Sequence, residues 1–487
     1  MKKTLLLISM APFINAQAED WQHKVSAEVL KQLNSNQDVE IILRLQSPAT
    51  TSNINSNNRI EKIQNKVAQL KQTAKETQKP IIEYLTANNI PYRSYWISND
   101  LLITAKSGEI TALLARKEIK KAFSNAPIQL NLPAPNKQTI QTPTAIEWNV
   151  SMVNAPQVWS NYGVTGENII IAGQDTGYQW NHPALLDRYR GWDGQSADHN
   201  YNWHDSIDSP QVSCGNAPCD DHGHGSHTMG TMIGDDGATN QIGVAPGAQW
   251  IGCRNMDVGN GTPTSYAECF QWFLEPTDLN GQNPDSNYAP HIINNSWGCP
   301  GFEGCTDPLV LRDTVNNVVA AGILVVSSAG NSGSACNTIT TPAAIYDKSL
   351  TVGSTTSSDL ISGFSSRGGV VVDGVELIKP NLSAPGSSVR SANNNSGYTT
   401  FSGTSMASPN VAAVAALVMS ANPSLAGKPE LVKKVLERTS VPKTSTQTCN
   451  GVPGSTIPNN TFGWGRIDAL QAVDFASDLI YFDDFQQ

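Results

Sequence analysis

The chain has 487 residues, 39% of them hydrophobic and 15% charged, and a net charge of −10. That length holds more than one domain, and the apolar content supports a buried core. Residues 1–144 carry 18 Lys and Arg against 11 Asp and Glu, whereas 145–487 carry 14 against 31, a balance that argues against nucleic-acid binding, which needs clustered basic residues to neutralise phosphate.

Lys2 and Lys3, the apolar run from Leu5 to Ile14, and Ala16-Gln17-Ala18 read as an export signal over 1–18, cleaved to leave Glu19. The alternative, a membrane anchor, needs about 20 apolar residues, and no later run reaches that length either. All eight cysteines lie at or beyond Cys214. An even count in an exported chain predicts disulfides, with Cys214–Cys219 and Cys299–Cys305 as local bridges. Zinc is the rival reading for these residues, and no Cys-x-x-Cys pair supports it.

In 19–132 the first strand is Val39 to Leu45, and Ile60, Ile63, Val67, Leu70 and Ala74 mark one face of a helix. Tyr92 to Ala105 holds one or two strands broken near Ser98-Asn99-Asp100, Ile110 to Lys120 reads as a second helix, and Ala126 to Leu132 as a last strand. The order β-α-β-β-α-β predicts a small ferredoxin-like α+β domain. Pro133 to Thr144 is rich in Pro and Thr, a linker composition that is exposed and easily cut.

In 145–487 strand-like runs (Ile169–Ala172, Trp250–Ile251, Ile292–Ile293, Ile323–Val326, Leu350–Val352) alternate with helical ones (Ala267–Leu274, Leu309–Ala321 and the segment after Ser405). Such alternation predicts an α/β domain with a doubly wound parallel sheet. Ligands of such sheets sit at the carboxyl ends of strands, where Asp175 and Asn331 fall.

Gly403-Thr404-Ser405-Met406-Ala407-Ser408-Pro409 places a hydroxyl before an apolar helix, read as starting at Pro409 and ending at Asn422-Pro423. Upstream stand Asp175-Thr176-Gly177 and His224-Gly225-Ser226-His227-Thr228. An acid, an imidazole and an alcohol are the groups that nucleophilic acyl transfer requires. His222, His224 and His227 are all candidate bases. A metal site is the rival for this cluster, but it lacks the Glu of a His-Glu-x-x-His motif.

These motifs, with Ser328-Ala329-Gly330-Asn331-Ser332-Gly333, resemble the subtilisin-like serine proteases (subtilases) from about 145 to about 470. Asp198 to Trp203, Asp220-Asp221-His222 and Asn294 to Gly298 are more similar to the bacillopeptidase F-like branch. The resemblance implies a secreted or periplasmic serine endopeptidase made as a zymogen, with a subtilisin-like sheet. Ser405 would be the nucleophile, His224 the base, Asp175 its orienter and Asn331 the oxyanion donor, while His227 would be structural. Ser296, Trp297 and Gly298 would bind substrate as an edge strand, with Asn260-Gly261-Thr262 as the opposite rim. Trp297 stands where relatives usually have Leu, and core packing is its alternative role.

The resemblance also makes 19–132 a propeptide, both folding template and temporary inhibitor, joined by the linker 133–144 and self-cleaved within 133–146. A permanent amino-terminal domain is the alternative. The opposite charges of the two parts are expected to help them dock. No cofactor is implied for the chemistry. A carboxylate ligand for calcium is replaced by Ala184 after His182-Pro183, although Asp235 and Asp236 are available to another site. Expected partners are protein or peptide substrates and the chain's own propeptide, with no nucleic acid, no membrane and a monomeric state. Two other classes stand beside this reading: a metal-dependent hydrolase, and a binding protein with a broken triad.

Overall fold

The computed structural model describes residues 21–35, 37–47, 56–129, 146–207, 214–298 and 307–479. The export signal, the linker 133–144 and the expected Cys299–Cys305 bridge lie outside the described residues.

The amino-terminal unit runs α1 (Ala27–Leu33), β1 (Asp38–Leu45), α2 (Arg59–Ala87), β2 (Tyr92–Tyr95), β3 (Asp100–Lys106), α3 (Ser107–Leu114) and β4 (Ile119–Ser124). Its antiparallel sheet has the order β2-β3-β1-β4, the ferredoxin-like arrangement. Because strand side chains alternate between faces, Ile41 and Leu43 join Ile81, Leu85, Ile110 and Leu113 in this unit's own core. Ile42 and Phe123 point the other way and, with Ile63 and Val67 of α2, enter an apolar cluster shared with the larger unit.

Two sequence expectations are corrected here. The second helix stops at Leu114 rather than Lys120, because Ile119 to Ser124 pairs with β1 as its outer strand. Of the segment read as a last strand over Ala126–Leu132, the described residues, which end at Gln129, do not extend this sheet. Ile128–Gln129 (β5) pairs antiparallel with Asn260–Gly261 (β9) of the larger unit.

The larger unit contains α4 (Trp148–Met152), α5 (Ala155–Tyr162), β6 (Ile170–Asp175), β7 (Trp203–Asp205), α6 (His224–Ile233), β8 (Gln249–Arg254), β9, α7 (Pro263–Leu274), β10 (Ile292–Asn295), α8 (Arg312–Ala320), β11 (Leu324–Ser328) and β12 (Leu350–Thr355). Then come a hairpin β13 (Val370–Val372) and β14 (Val375–Leu377), β15 (Leu382–Pro385), a hairpin β16 (Val389–Ala392) and β17 (Tyr398–Phe401), α9 (Thr404–Ala421), α10 (Pro429–Arg438) and α11 (Ala469–Asp478). The expected doubly wound sheet is present: seven parallel strands in the order β15-β12-β11-β10-β6-β8-β7. Its central strands β10, β11 and β12 are buried throughout, which is why they read as unbroken apolar or small-residue runs.

Residues of α6, α9, α10 and α11 fill one core cluster, and residues of α7 and α8 fill the other. Strand order reverses between β6 and β10, so the crevice at their carboxyl ends is the switch point where such sheets bind ligands. Each fully buried Val, Leu or Met along α9 contributes about 1.5–3 kcal/mol, more than the few tenths by which Val disfavours a helix. That helix begins at Thr404, not at Pro409.

The expected bridge Cys214–Cys219 is formed, and two further disulfides join Cys253 to Cys269 and Cys336 to Cys449. The last spans 113 positions of sequence, and closing so long a loop removes about 4–5 kcal/mol of unfolded-state entropy in the chain-entropy treatment.

Charge arranges the contact between the units. Arg44 is held bidentate by Asp100 at 2.8 and 2.9 Å and reaches across to Val310 O at 2.7 Å and Asp313 at 3.3 Å. Arg93 pairs with Glu268 at 2.6 Å, Lys121 with Asp307 at 2.5 Å, and Lys71 with Glu275. In each of these pairs the cation belongs to the amino-terminal unit and the crossing carboxylate to the larger one.

Candidate active site

Strand β6 ends on Asp175, whose Oδ1 accepts the His224 Nδ1–H at 2.7 Å and the Thr176 N–H at 2.8 Å. A carboxylate only accepts, so Nδ1 carries the proton and Nε2 is left as an acceptor. That nitrogen is buried and has no hydrogen-bond partner among the described residues.

The loops carrying these two side chains are clamped by a second buried carboxylate, Asp220. It accepts from Thr176 Oγ1 at 2.8 Å, Gly223 N at 2.8 Å, His222 N at 3.1 Å, and Ser226 N and Oγ at 2.9 and 2.7 Å. The Gly after His224 is required by this closeness, since a Cβ on Gly225 would lie 2.0 Å from Gly177 O. In the sequence Asp220 is visible only as part of the segment Asp220-Asp221-His222. Its position four residues before His224 was the available signal.

The three histidines separate by environment. His227 Nε2 meets Val389 O at 3.0 Å, and burial, reinforced by the neighbouring His224, pushes its imidazole down to about 3. His222 is also lowered, by burial first and then by His224. Among the three, only His224 engages a carboxylate through Nδ1.

Ser405 lies in the first turn of α9, behind Gly403. Pro409 has no N–H to give the carbonyl of Ser405 four residues earlier, and Ser296 Oγ donates to that carbonyl instead at 2.9 Å. The exchange is mutual, because Ser405 Oγ donates to Ser296 O at 2.8 Å. The structure therefore brings Asp175 and His224 into direct hydrogen bonding, while the Ser405 hydroxyl is engaged with Ser296 in this rotamer. Helices α6 and α9, which carry the imidazole and the alcohol, pack against each other.

Asn331 follows β11 in the loop facing the start of α9. Its Oδ1 accepts both the backbone N–H of Thr404 at 2.8 Å and its hydroxyl at 3.0 Å, and Thr404 Oγ1 in turn accepts from Gly330 N at 3.1 Å. With Oδ1 occupied by two donors, Nδ2 is turned toward Gly403, where an added Cβ would stand 3.4 Å away. Thr404 was not singled out in the sequence, although a hydroxyl beside the nucleophile was visible there.

The rim expected at Asn260–Thr262 holds a strand: Gly261 pairs with Ile128 and Asn260 with Gln129. Ser296–Gly298 forms no ladder with that strand among the described residues. Trp297 is 1% exposed and stacks on Tyr266, with ring centroids 4.1 Å apart and planes 7° from parallel. Ile128 is buried in the same apolar cluster as Tyr266 and Trp297.

Among the described residues no group of three His, Cys, Asp or Glu side chains could hold a metal. Asp235 accepts from Gly237 N, and Asp236 from Ala238 N, Asn240 N and Tyr398 Oη, so both carboxylates close their own loop.

The sequence profile described as the Subtilase family matches residues 166–465. Bacillopeptidase F of Bacillus subtilis (strain 168) is 32% identical over 438 residues, covering 85% of this chain and 28% of the relative. Subtilisin Savinase of Lederbergia lenta is 31% identical over 257 residues, covering 52% of this chain and 79% of the relative. The major intracellular serine protease of Bacillus subtilis (strain 168) is 29% identical over 277 residues, with 56% and 75% covered. The chain thus spans little more than a quarter of the length of Bacillopeptidase F.

Proposed function

The chain belongs to the subtilase family of serine proteases, and from that premise we propose that it is an exported serine endopeptidase made as a zymogen. The observation that carries this reading is the 2.7 Å contact between Asp175 Oδ1 and His224 Nδ1, with Nε2 left as an acceptor. In the reaction, Ser405 Oγ turns from Ser296 O, gives its proton to His224 Nε2 and attacks the peptide carbonyl carbon. Asp175 holds the tautomer and stabilises the imidazolium without taking the proton. The oxyanion receives hydrogen bonds from Asn331 Nδ2 and the Ser405 N–H, each donor worth about 10²–10³ in turnover. His224 then protonates the departing amine, the acyl-enzyme forms on Ser405, and water repeats the sequence to release the acid.

Substrate adds as an extended strand to β9, gaining affinity from main-chain pairing, with Ser296–Gly298 as the second rim. The seating of β5 on β9 supports this reading. Ile128 is buried in the same apolar cluster as the stacked Tyr266 and Trp297, so an aliphatic side chain is favoured at that position of a substrate. Residues 19–132 act as the propeptide, docked by basic side chains and leading through β5 into the cleft, and the chain cuts itself within 133–146. Cystines at Cys214–Cys219, Cys253–Cys269 and Cys336–Cys449 fit an oxidising compartment outside the cytoplasm. The working enzyme is a monomer acting on proteins or peptides without a cofactor.

The test is mass spectrometry of the purified protein after treatment with a fluorophosphonate. The expected result is a single adduct on Ser405 and a new amino terminus within 133–146, both missing from Ser405→Ala. An unlabelled Ser405 with activity abolished by chelator would replace this reading with a metal-dependent hydrolase.

A further inference from the structure

The turn leading into β9 is strained. Val258 has φ +47° and Gly259 φ +84°, and a β-branched residue in the left-handed region is a costly conformation. Burial does not compensate, because Val258 is 49% exposed. The turn closes through Asp257 N to Asn260 O at 2.7 Å and Asn260 N to Asp257 O at 2.8 Å, and its last residue begins β9.

Beneath the turn lies Arg254, the last residue of β8 and fully buried. Its Nη2 donates to Asp257 Oδ1 at 2.9 Å and to Asp221 Oδ2 at 2.6 Å, its Nε to Asp221 Oδ2 at 3.1 Å and its Nη1 to Asp205 Oδ2 at 3.2 Å. Asp221 sits three residues before His224, and burial pushes its carboxyl up to about 6, so at neutral pH its charged form depends on the Arg254 guanidinium. One cation thus joins the histidine loop to the turn, since Arg254 Nη2 holds both Asp221 and Asp257.

We infer that Arg254 is a positioning residue, which through Asp221 and Asp257 locks the strained turn to the His224 loop so that β9 meets an extended peptide in fixed register. The inference rests on the reading of β9 as the substrate edge. It makes the ion cluster a device that favours long peptides, which use β9, over small esters, which do not reach it.

The experiment compares kcat and KM of the processed enzyme for an extended peptide spanning β9 and for a single-residue ester. Asp257→Asn, whose carboxylate is 22% exposed, is the variant that decides, because Arg254→Gln strands buried carboxylates and can prevent folding. The expected result is a loss of about tenfold in kcat/KM for the peptide, mostly in KM, the worth of one charge-assisted hydrogen bond, with a several-fold smaller loss for the ester. Adding Val258→Gly, which removes the strain that the cluster opposes, should recover most of the peptide activity. Equal losses on both substrates, or no recovery with Val258→Gly, would overturn the inference. Fluorophosphonate labelling separates the two levels: an unlabelled wild type defeats the proposed function, whereas labelled variants with an unchanged peptide-to-ester ratio defeat this inference alone.

Discussion

Asp175 Oδ1 and His224 Nδ1 stand 2.7 Å apart, with side chains only 2% and 0% exposed. In such a water-excluded site the carboxylate governs both the tautomer of the ring and the stability of its cation. Asp175→Asn keeps the shape but offers an amide in place of the acceptor. The expected loss is about 10⁴-fold in kcat with KM little changed, measured by steady-state kinetics on protein whose fold is checked by circular dichroism. A loss below about tenfold would remove Asp175 from the proton relay.

Asn331 is oriented by the two donors of Thr404. Asn331→Ala should lower kcat by about 10²–10³ and leave KM within a few-fold, since the missing bond belongs to the oxyanion of the transition state and not to bound substrate. Asn331→Asp should be no better, because a carboxylate presents a charge of the same sign. A fall in KM-dependent binding with kcat intact would instead make Asn331 a substrate-binding residue.

Docking of the amino-terminal unit should respond to salt. Full-length Ser405→Ala, nicked in the linker by an added protease, is run on a sizing column at about 0.01 M and about 1 M salt, where the Debye length falls from roughly 30 to 3 Å. Retention of the nicked fragment should fall at high salt, because Lys71–Glu275, Arg93–Glu268 and Lys121–Asp307 all cross the contact with one polarity. Arg44→Met should weaken retention further, as it removes the bonds to Val310 O and Asp313 that cross the contact. Equal retention at both salts would show that apolar contacts around Ile42, Ile63 and Phe123 suffice.

Acid should destabilise the fold through His227. Its imidazole is held down to about 3 by burial, against 6.5 in the unfolded chain. Below pH 6.5 the unfolded chain takes a proton that the folded one refuses, so stability is lost as pH falls from 6.5 toward 3. Asp221 acts in the opposite sense: its carboxyl is raised from 3.8 to about 6, so the folded state binds the extra proton and gains stability as pH falls through that window. Glu147, Asp205 and Glu437 are raised by burial like Asp221, but five histidines, His182, His199, His222, His227 and His291, are lowered by it and outnumber these four acids. His227→Gln, which keeps a donor for Val389 O, should flatten the slope of urea-unfolding stability between about pH 6.5 and 4. An unchanged slope would assign the acid sensitivity to other groups.

Much of this was legible along the chain. Ile169–Ala172, Ile323–Val326 and Leu350–Val352 read as central strands because both faces are buried, and burial leaves an apolar run that needs no partner to be recognised. Asp175, Ser405 and Asn331 stand out because each is embedded among small residues at the end or start of such an element, whereas only the resemblance to subtilases singles out His224 from His222 and His227. The edge strands β7 and β15 escaped, the one being three residues long and the other ending on Pro385. Pro409 reads as a helix start because local rules place proline there. Only the proximity of Ser296 reveals that its missing N–H frees the Ser405 carbonyl.

The sequence by itself determined the apolar elements, their order and the chemical identity of the reacting groups, since periodicity and motif spacing are local properties of a chain. Tertiary structure alone decided that Ile128–Gln129 joins β9 rather than its own domain's sheet, that Asp220 clamps the two loops, and that Arg254 gathers three carboxylates. Hydrogen bonds and ion pairs between residues far apart in the chain leave no local pattern. Their partners are chosen only when packing brings the elements together and buried charges must find compensation.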